Sequence, residues 1–196
     1  MVVGLLGGAF DPPHLGHVAL ARAGKEHFGL DRLVVLVSAR PGHKAVSTPA
    51  DARLALARAA FPDEEVVLDE TARTVDLLRD GRFDGAVFLV GADEFATFLD
   101  WKEPDEVLEH VRLGVGSRPG YPAERLEAVR AQLRRPERVE LFDIGEWPIA
   151  STVLRSGEPL DEHVPPAVAE LVEKMGLYDR RGSYTGSGTR EEPEAT

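Results

Sequence analysis

The chain has 196 residues, 43% of them hydrophobic, which suits the core of one ordinary domain with a small appendage and is too little for two. The absence of cysteine excludes disulfide frameworks, cysteine-ligated zinc, iron–sulfur clusters and thiol nucleophiles. A formal net charge of −11 argues against a nucleic acid polymer as partner, and no apolar run reaches the length of a membrane span.

In chain order, short β-branched or apolar runs alternate with amphipathic segments. Val2 to Gly7 reads as a strand and Gly16 to Phe28 as a helix; Leu33 to Ser38 is followed by Pro49 to Ala60, and Val66 to Asp69 by Thr74 to Arg79. The rhythm continues with a strand at Ala86 to Gly91, a helical stretch around Glu103 to His110, a strand at Leu113 to Ser117, a helix from Pro122 to about Leu133 and a last strand near Val139 to Phe142. Strands separated by helices predict a parallel sheet covered on both faces, with the ligand at the carboxyl ends of the strands. The composition from Arg181 to Thr196, almost free of apolar residues, predicts a disordered acidic tail after one domain over residues 1–180. With no basic n-region ahead of Asp11-Pro12-Pro13, the cytoplasm is the expected compartment.

The segment between the first strand and first helix carries the most chemistry: Gly7-Gly8-Ala9-Phe10-Asp11-Pro12-Pro13-His14-Leu15-Gly16-His17. Glycines let backbone N–H groups approach a phosphate, and a helix start supplies unpaired donors. His14 and His17, three apart, fall on one side of it and would complete a neutralising cup for an anion. The residues alone also allow a Gly/Pro turn with two surface histidines; a zinc pair lacks a third ligand at sensible spacing. Farther on, Lys44 can be a surface charge, and Trp101 a core residue or a ring platform. Ile149-Ala150-Ser151-Thr152-Val153-Leu154-Arg155 reads as an N-cap opening a short helix.

Taken together, these segments resemble the bacterial nicotinate mononucleotide adenylyltransferase family of the HxGH nucleotidyltransferases. GGAFDPPHLGH is similar to the signature G-x-F-D-P-x-H-x-G-H, with Ala9 where many members have Thr or Ser. Residues 149–155 resemble the ISSTxIR motif, but the chain passes from Arg155 straight to Ser156-Gly157, which predicts a shortened helix. Ser38 to Lys44 resembles the PPHK loop; Ala72-Arg73-Thr74-Val75-Asp76-Leu77 resembles SYTxDTL with Tyr replaced by Arg73; and Gly91 to Trp101 resembles GxDxxxxFxxW. Arg118-Pro119-Gly120-Tyr121 matches RPGY, and Gly176-Leu177-Tyr178 matches the family's C-terminal pattern.

The resemblance implies a Rossmann-like fold with a small C-terminal helical part and adenylyl transfer from ATP to nicotinate mononucleotide, giving deamido-NAD and diphosphate in NAD biosynthesis. It implies catalytic roles for His14, His17, Lys44 and Arg155. ATP would be bound by Gly8, Ala9, Phe10, Gly16, His17, Gly91, Asp93, Arg118, Ile149, Ser151, Thr152 and Arg155, and the pyridine nucleotide by Lys44, Thr74, Asp76 and Trp101. Magnesium would arrive on the ATP phosphates, with no protein ligand of its own. Rival readings are another acceptor within the superfamily or a nucleotide-binding module without turnover, and the sequence leaves a homo-oligomer open.

Overall fold

The structure is a computed structural model that describes residues 1–41, 46, 48–117, 121–145, 151–155 and 159–178. Its elements in order are β1 (Val3–Gly8), α1 (Leu15–Phe28), β2 (Arg32–Ser38), α2 (Ala50–Ala60), β3 (Glu65–Asp69), α3 (Thr74–Leu78), β4 (Val87–Gly91), α4 (Ala92–Phe95), α5 (Pro104–His110), β5 (Arg112–Ser117), α6 (Ala123–Arg130), β6 (Val139–Asp143), α7 (Ser151–Arg155) and α8 (Pro166–Met175). The expected tail at 181–196 lies outside the described residues.

All six strands are parallel in the order β3-β2-β1-β4-β5-β6. The order reverses between β1 and β4, and such a switch point opens a crevice beyond the strand ends. The register that pairs Leu6 with Leu89 brings Gly8 and Gly91, the last residues of their strands, to the same rim.

Alternation along the strands builds two cores. Leu5, Val34, Leu36, Phe88, Leu113 and Val115 face α3 to α6, whereas Leu6, Val35, Val37 and Leu89 face α1, α2, α7 and α8. The sheet is therefore covered on both sides, as the alternating sequence predicts. Helix α1 lies close against β4 and β5 because Gly24 and Gly114 leave room: a Cβ on Gly24 would sit 2.6 Å from Leu89, and one on Gly114 2.6 Å from Phe28. That contact fixes where the first turn of α1 stands over the switch point.

One helix is shorter than its periodicity predicts. The pattern from Pro122 runs to about Leu133, but α6 ends at Arg130, where the Arg134 N–H is taken by Asp105 at 2.8 Å and Arg135 precedes Pro136. The Gln132 and Leu133 N–H groups turn to carbonyls three residues back, and the pre-proline position of Arg135 keeps the helix from resuming. Among the described residues no helix is long and apolar enough to cross a membrane.

Candidate active site

The chain leaves β1 at Gly8 and enters α1 through a tight, buried turn. Phe10 adopts a left-handed backbone (φ 51°) with its ring buried against Phe61 and His17, and the Asp11–Pro12 peptide is cis. A bulky residue at positive φ costs of order 1–3 kcal/mol, a strain that persists where surrounding contacts over-determine it. Those contacts are extensive here. Asp11 is only 1% exposed, and its Oδ1 accepts from the Tyr178 hydroxyl at 2.8 Å, bridging 167 residues of sequence. Tyr178 reaches it because α8 ends at Gly176 (φ 63°), whose left-handed cap turns the chain back. Burial and the Asp11 carboxylate push the Tyr178 hydroxyl's pKa above its ordinary value, so it stays a donor.

Helix α7 docks on the same turn. The Ser151 hydroxyl donates to the Pro12 carbonyl at 2.9 Å, and Arg155 Nη1 donates to the Asp11 carbonyl at 2.7 Å with Asp11 Oδ2 at 3.9 Å. The two motifs read separately in the sequence are thus one assembly. The described part of the helix ends at Arg155, which lies on the turn, and residues 156–158, where the sequence predicts an early end, are outside the described residues.

His14 is the N-cap of α1 and His17 its third residue; their rings lie 3.8 Å apart. The His14 N–H donates to His17 Nδ1 at 3.1 Å, so the neutral His17 ring carries its proton on Nε2. The sequence predicts a neutralising pair of imidazoles, and the surroundings of His14 disfavour its charged form. Burial, aided by nearby His163, pulls its pKa down to about 4. Burial thus favours the neutral ring, which can still offer hydrogen bonds. The helix start is also less open than the sequence implies, since the Leu15 N–H is taken by the His163 carbonyl at 2.8 Å.

Across the switch point, Gly91 caps α4 and a Cβ there would meet nothing within 4 Å, leaving space beside Gly8. Asp93, in the first turn of α4, is exposed. Thr74 opens α3 and is half-buried. Trp101 packs its ring against Phe88 and Phe98, with Nε1 buried and unpaired. Asp76, expected on the substrate, is already engaged: its Oδ1 accepts from Arg79 at 2.7 Å and from Lys102 at 2.8 Å. The Lys102 hydrogen bond, then Arg79, holds its carboxyl below the ordinary carboxylate range. Arg79 in turn bonds Glu103 and Glu106, so Asp76 belongs to an ion-pair network joining α3 to the segment after Trp101.

The buried side-chain polar atoms without a hydrogen-bond partner among the described residues are Asp11 Oδ2, His14 Nδ1 and Trp101 Nε1. All three belong to the segments singled out from sequence. Unsatisfied buried groups are rare and concentrate where a ligand or strain accounts for them. Lys44, Arg118 and Ile149 lie outside the described residues, as does the side chain of Thr152.

Residues 5–156 match the Cytidylyltransferase-like family. A probable nicotinate-nucleotide adenylyltransferase of Rubrobacter xylanophilus is 33% identical, with 91% of this chain and 92% of that protein covered. One from Thermus thermophilus is 37% identical over 91% of this chain and its own full length. The chain belongs to the nicotinate-nucleotide adenylyltransferase family. A solved nicotinic acid mononucleotide adenylyltransferase of Plasmodium falciparum, complexed with APC, shares the family fold at a TM-score of 0.71 and 16% identity, covering 90% of this chain and 96% of that one.

Two residues that hold the turn after β1 escape a reading of the sequence. Tyr178 shows there only as part of a C-terminal pattern, and nothing local marks it as the partner of Asp11. Arg53 lies in the alanine-rich segment Pro49 to Ala60, which the sequence marks only as a helix, and it is 2% exposed. A signal for it does exist: Arg53, Leu56, Ala57 and Ala60 fall at helical spacing on one face, and all four are buried.

Proposed function

We propose that this chain transfers the adenylyl group of ATP to the phosphate of nicotinate mononucleotide, forming deamido-NAD and diphosphate. The observation that carries the proposal is the docking of α7 on the turn after β1 at the switch point, with Ser151 and Arg155 on the carbonyls of Pro12 and Asp11. Family membership supplies the reaction class. The related nicotinic acid mononucleotide adenylyltransferase solved with NaAD is consistent with it.

In this reading the acceptor is a phosphate monoester whose second pKa is near 6, so at neutral pH it is already mostly a dianionic nucleophile. One of its oxygens bonds to the α-phosphorus of ATP while the bond from that phosphorus to the bridging oxygen breaks. Diphosphate leaves with the electron pair, and no proton need be removed. The work of the protein is alignment of two repelling anions and stabilisation of the departing charge. His17 presents its Nε2–H, His14 acts as an uncharged donor, and Arg155 and Lys44 supply positive charge. Gly8, Ala9, Phe10, Gly16, Gly91, Asp93, Arg118, Ile149, Ser151 and Thr152 complete the ATP side, with Thr74 and Trp101 on the pyridine side. Asp76 acts there through the position it gives Lys102 and α3.

No group of three His, Asp or Glu side chains among the described residues could hold a metal ion. Asp11, the buried carboxylate of the turn, is already engaged by Tyr178 and Arg155. In this reading a magnesium ion would arrive on the ATP phosphates and would offset their negative charge.

The test is kcat/KM at saturating ATP with nicotinate mononucleotide, nicotinamide mononucleotide and a pantetheine phosphate. Hydrogen bonds to a charged group contribute about 1.5–3 kcal/mol, so the acid should exceed the amide by roughly tenfold or more. Values for acid and amide within about threefold, less than one such bond gives, would remove the acid specificity; a preference for the pantetheine acceptor would remove the assignment.

A further inference from the structure

The guanidinium of Arg53 is one of the most deeply placed charges in the molecule, and the chemistry above does not use it. It is 2% exposed on the inner face of α2. Its Nη1 donates to the Ala9 carbonyl at 2.8 Å and the Ser38 carbonyl at 2.7 Å, its Nε to the Thr48 carbonyl at 3.1 Å, and its Nη2 to the Ala39 carbonyl at 3.4 Å. These acceptors come from three separate places: the turn after β1, the end of β2 and the entry to α2. Burying a cation is costly unless it is fully bonded, so a fork aimed only at backbone carbonyls represents a substantial commitment. A lysine carries its three donors on one nitrogen and cannot reproduce the spread, rigid fork that reaches these carbonyls from three separate nitrogens. The site is connected onward, because Thr48 also hydrogen-bonds Tyr178, which holds Asp11, and the Asp11 carboxylate favours the charged form of Arg53 against its burial.

We propose that Arg53 is a positioning residue for adenylyl transfer: it locks the turn Ala9–Asp11 to Ser38, Ala39 and Thr48, so that the phosphate-binding turn and the rim of β2 form one rigid frame. It touches no substrate. The proposal rests on the function given above for what the frame aligns, but the frame itself is defined by backbone carbonyls. Displacing reacting groups by about an ångström costs as much as a hundredfold in rate, so loosening this frame should be felt in catalysis before it is felt in folding.

The experiment compares Arg53→Lys, Arg53→Gln and Arg53→Ala with the parent, at a temperature where circular dichroism finds each variant folded. It reads kcat and KM for both substrates, and ATP affinity separately by calorimetry. The expected result for Arg53→Lys is a fall in kcat/KM of about tenfold or more toward both substrates together, with weaker ATP binding. Guanidinium ion added to Arg53→Ala should restore part of the lost kcat, whereas ammonium should not. A purely structural residue would give a lower melting temperature and, in the folded variant, kinetics unmoved by guanidinium. Folded Arg53→Lys within about threefold of the parent in both kinetics and ATP affinity overturns the proposal, and so does failure of both the Lys and Gln variants to fold. If the parent makes no dinucleotide, the substrate reading fails, and the calorimetric comparison of ATP binding decides the role of Arg53 alone.

Discussion

The two sides of the crevice are held by opposite means. On the β1 side, the turn Ala9–Pro13 is gripped by the buried Arg53 and the half-buried Tyr178, Ser151 and Arg155, most of them bonded to backbone carbonyls. On the far side, α3 and the segment after Trp101 are joined by exposed ion pairs among Asp76, Arg79, Lys102, Glu103 and Glu106. Buried charge-assisted bonds are strong and costly to break, whereas exposed pairs are screened by water and salt. The side proposed for ATP is thus preorganised, and the side proposed for the pyridine nucleotide is free to adjust. A triphosphate needs fixed donors where charge develops; an acceptor ring can be received by a surface that settles around it.

The sharpest way to break this contrast is to remove a donor from the rigid side. His17→Ala should lower kcat by roughly a hundredfold or more, since losing one charge-stabilising donor costs about 2.7–4 kcal/mol in comparable sites. Circular dichroism should be unchanged. Turnover near the parent level would remove His17 from the chemistry.

A second effect follows from His14, whose folded-state pKa of about 4 lies below its ordinary 6.5. As pH falls through 6.5 the unfolded chain takes up a proton that the folded chain refuses. Stability is therefore lost between about pH 6.5 and 4, by about 3 kcal/mol from this group, and no further below that. Urea denaturation at about pH 7 and about pH 4.5, on either side of that loss, should show His14→Gln losing less stability than the parent over the interval. Equal losses in the two proteins would mean that His14 is not buried in its neutral form.

Tyr178→Phe strips one hydrogen bond from the buried Asp11 carboxylate and should cost about 1.5–3 kcal/mol of stability. It should raise KM for ATP more than KM for the pyridine nucleotide. Smallest of all is the expected effect on the adjustable side: Arg79→Gln opens the ion-pair network, yet kinetics should stay within about threefold, because its pairs are exposed. A loss as large as that of His17→Ala would show that both sides are equally rigid.

The sheet, its helices and the placement of the glycine-rich turn are legible in the sequence because period-2 and period-3.6 patterns survive without tertiary context; strand limits fall within about a residue of those read. The convergence of residues 7–17 with 149–155 is legible by resemblance. What is not legible depends on long-range burial. The charge state of His14 follows from its surroundings and not from its neighbours in sequence. The ion pairs of Asp76 with Lys102 and Arg79 join positions 26 and 3 residues away, and its sequence segment does not announce them. Arg53 reaches a carbonyl 44 residues away and Tyr178 a carboxylate 167 residues away, separations that no local pattern encodes.

The most direct test of the whole account is to incubate the purified chain with ATP, magnesium and nicotinate mononucleotide and to identify the products by mass. The account predicts deamido-NAD and diphosphate in equal amounts, formation that depends on both substrates, and near-complete loss of both products in His17→Ala. Adenosine diphosphate and free phosphate in place of the dinucleotide, or dinucleotide formed equally well by His17→Ala, would contradict it.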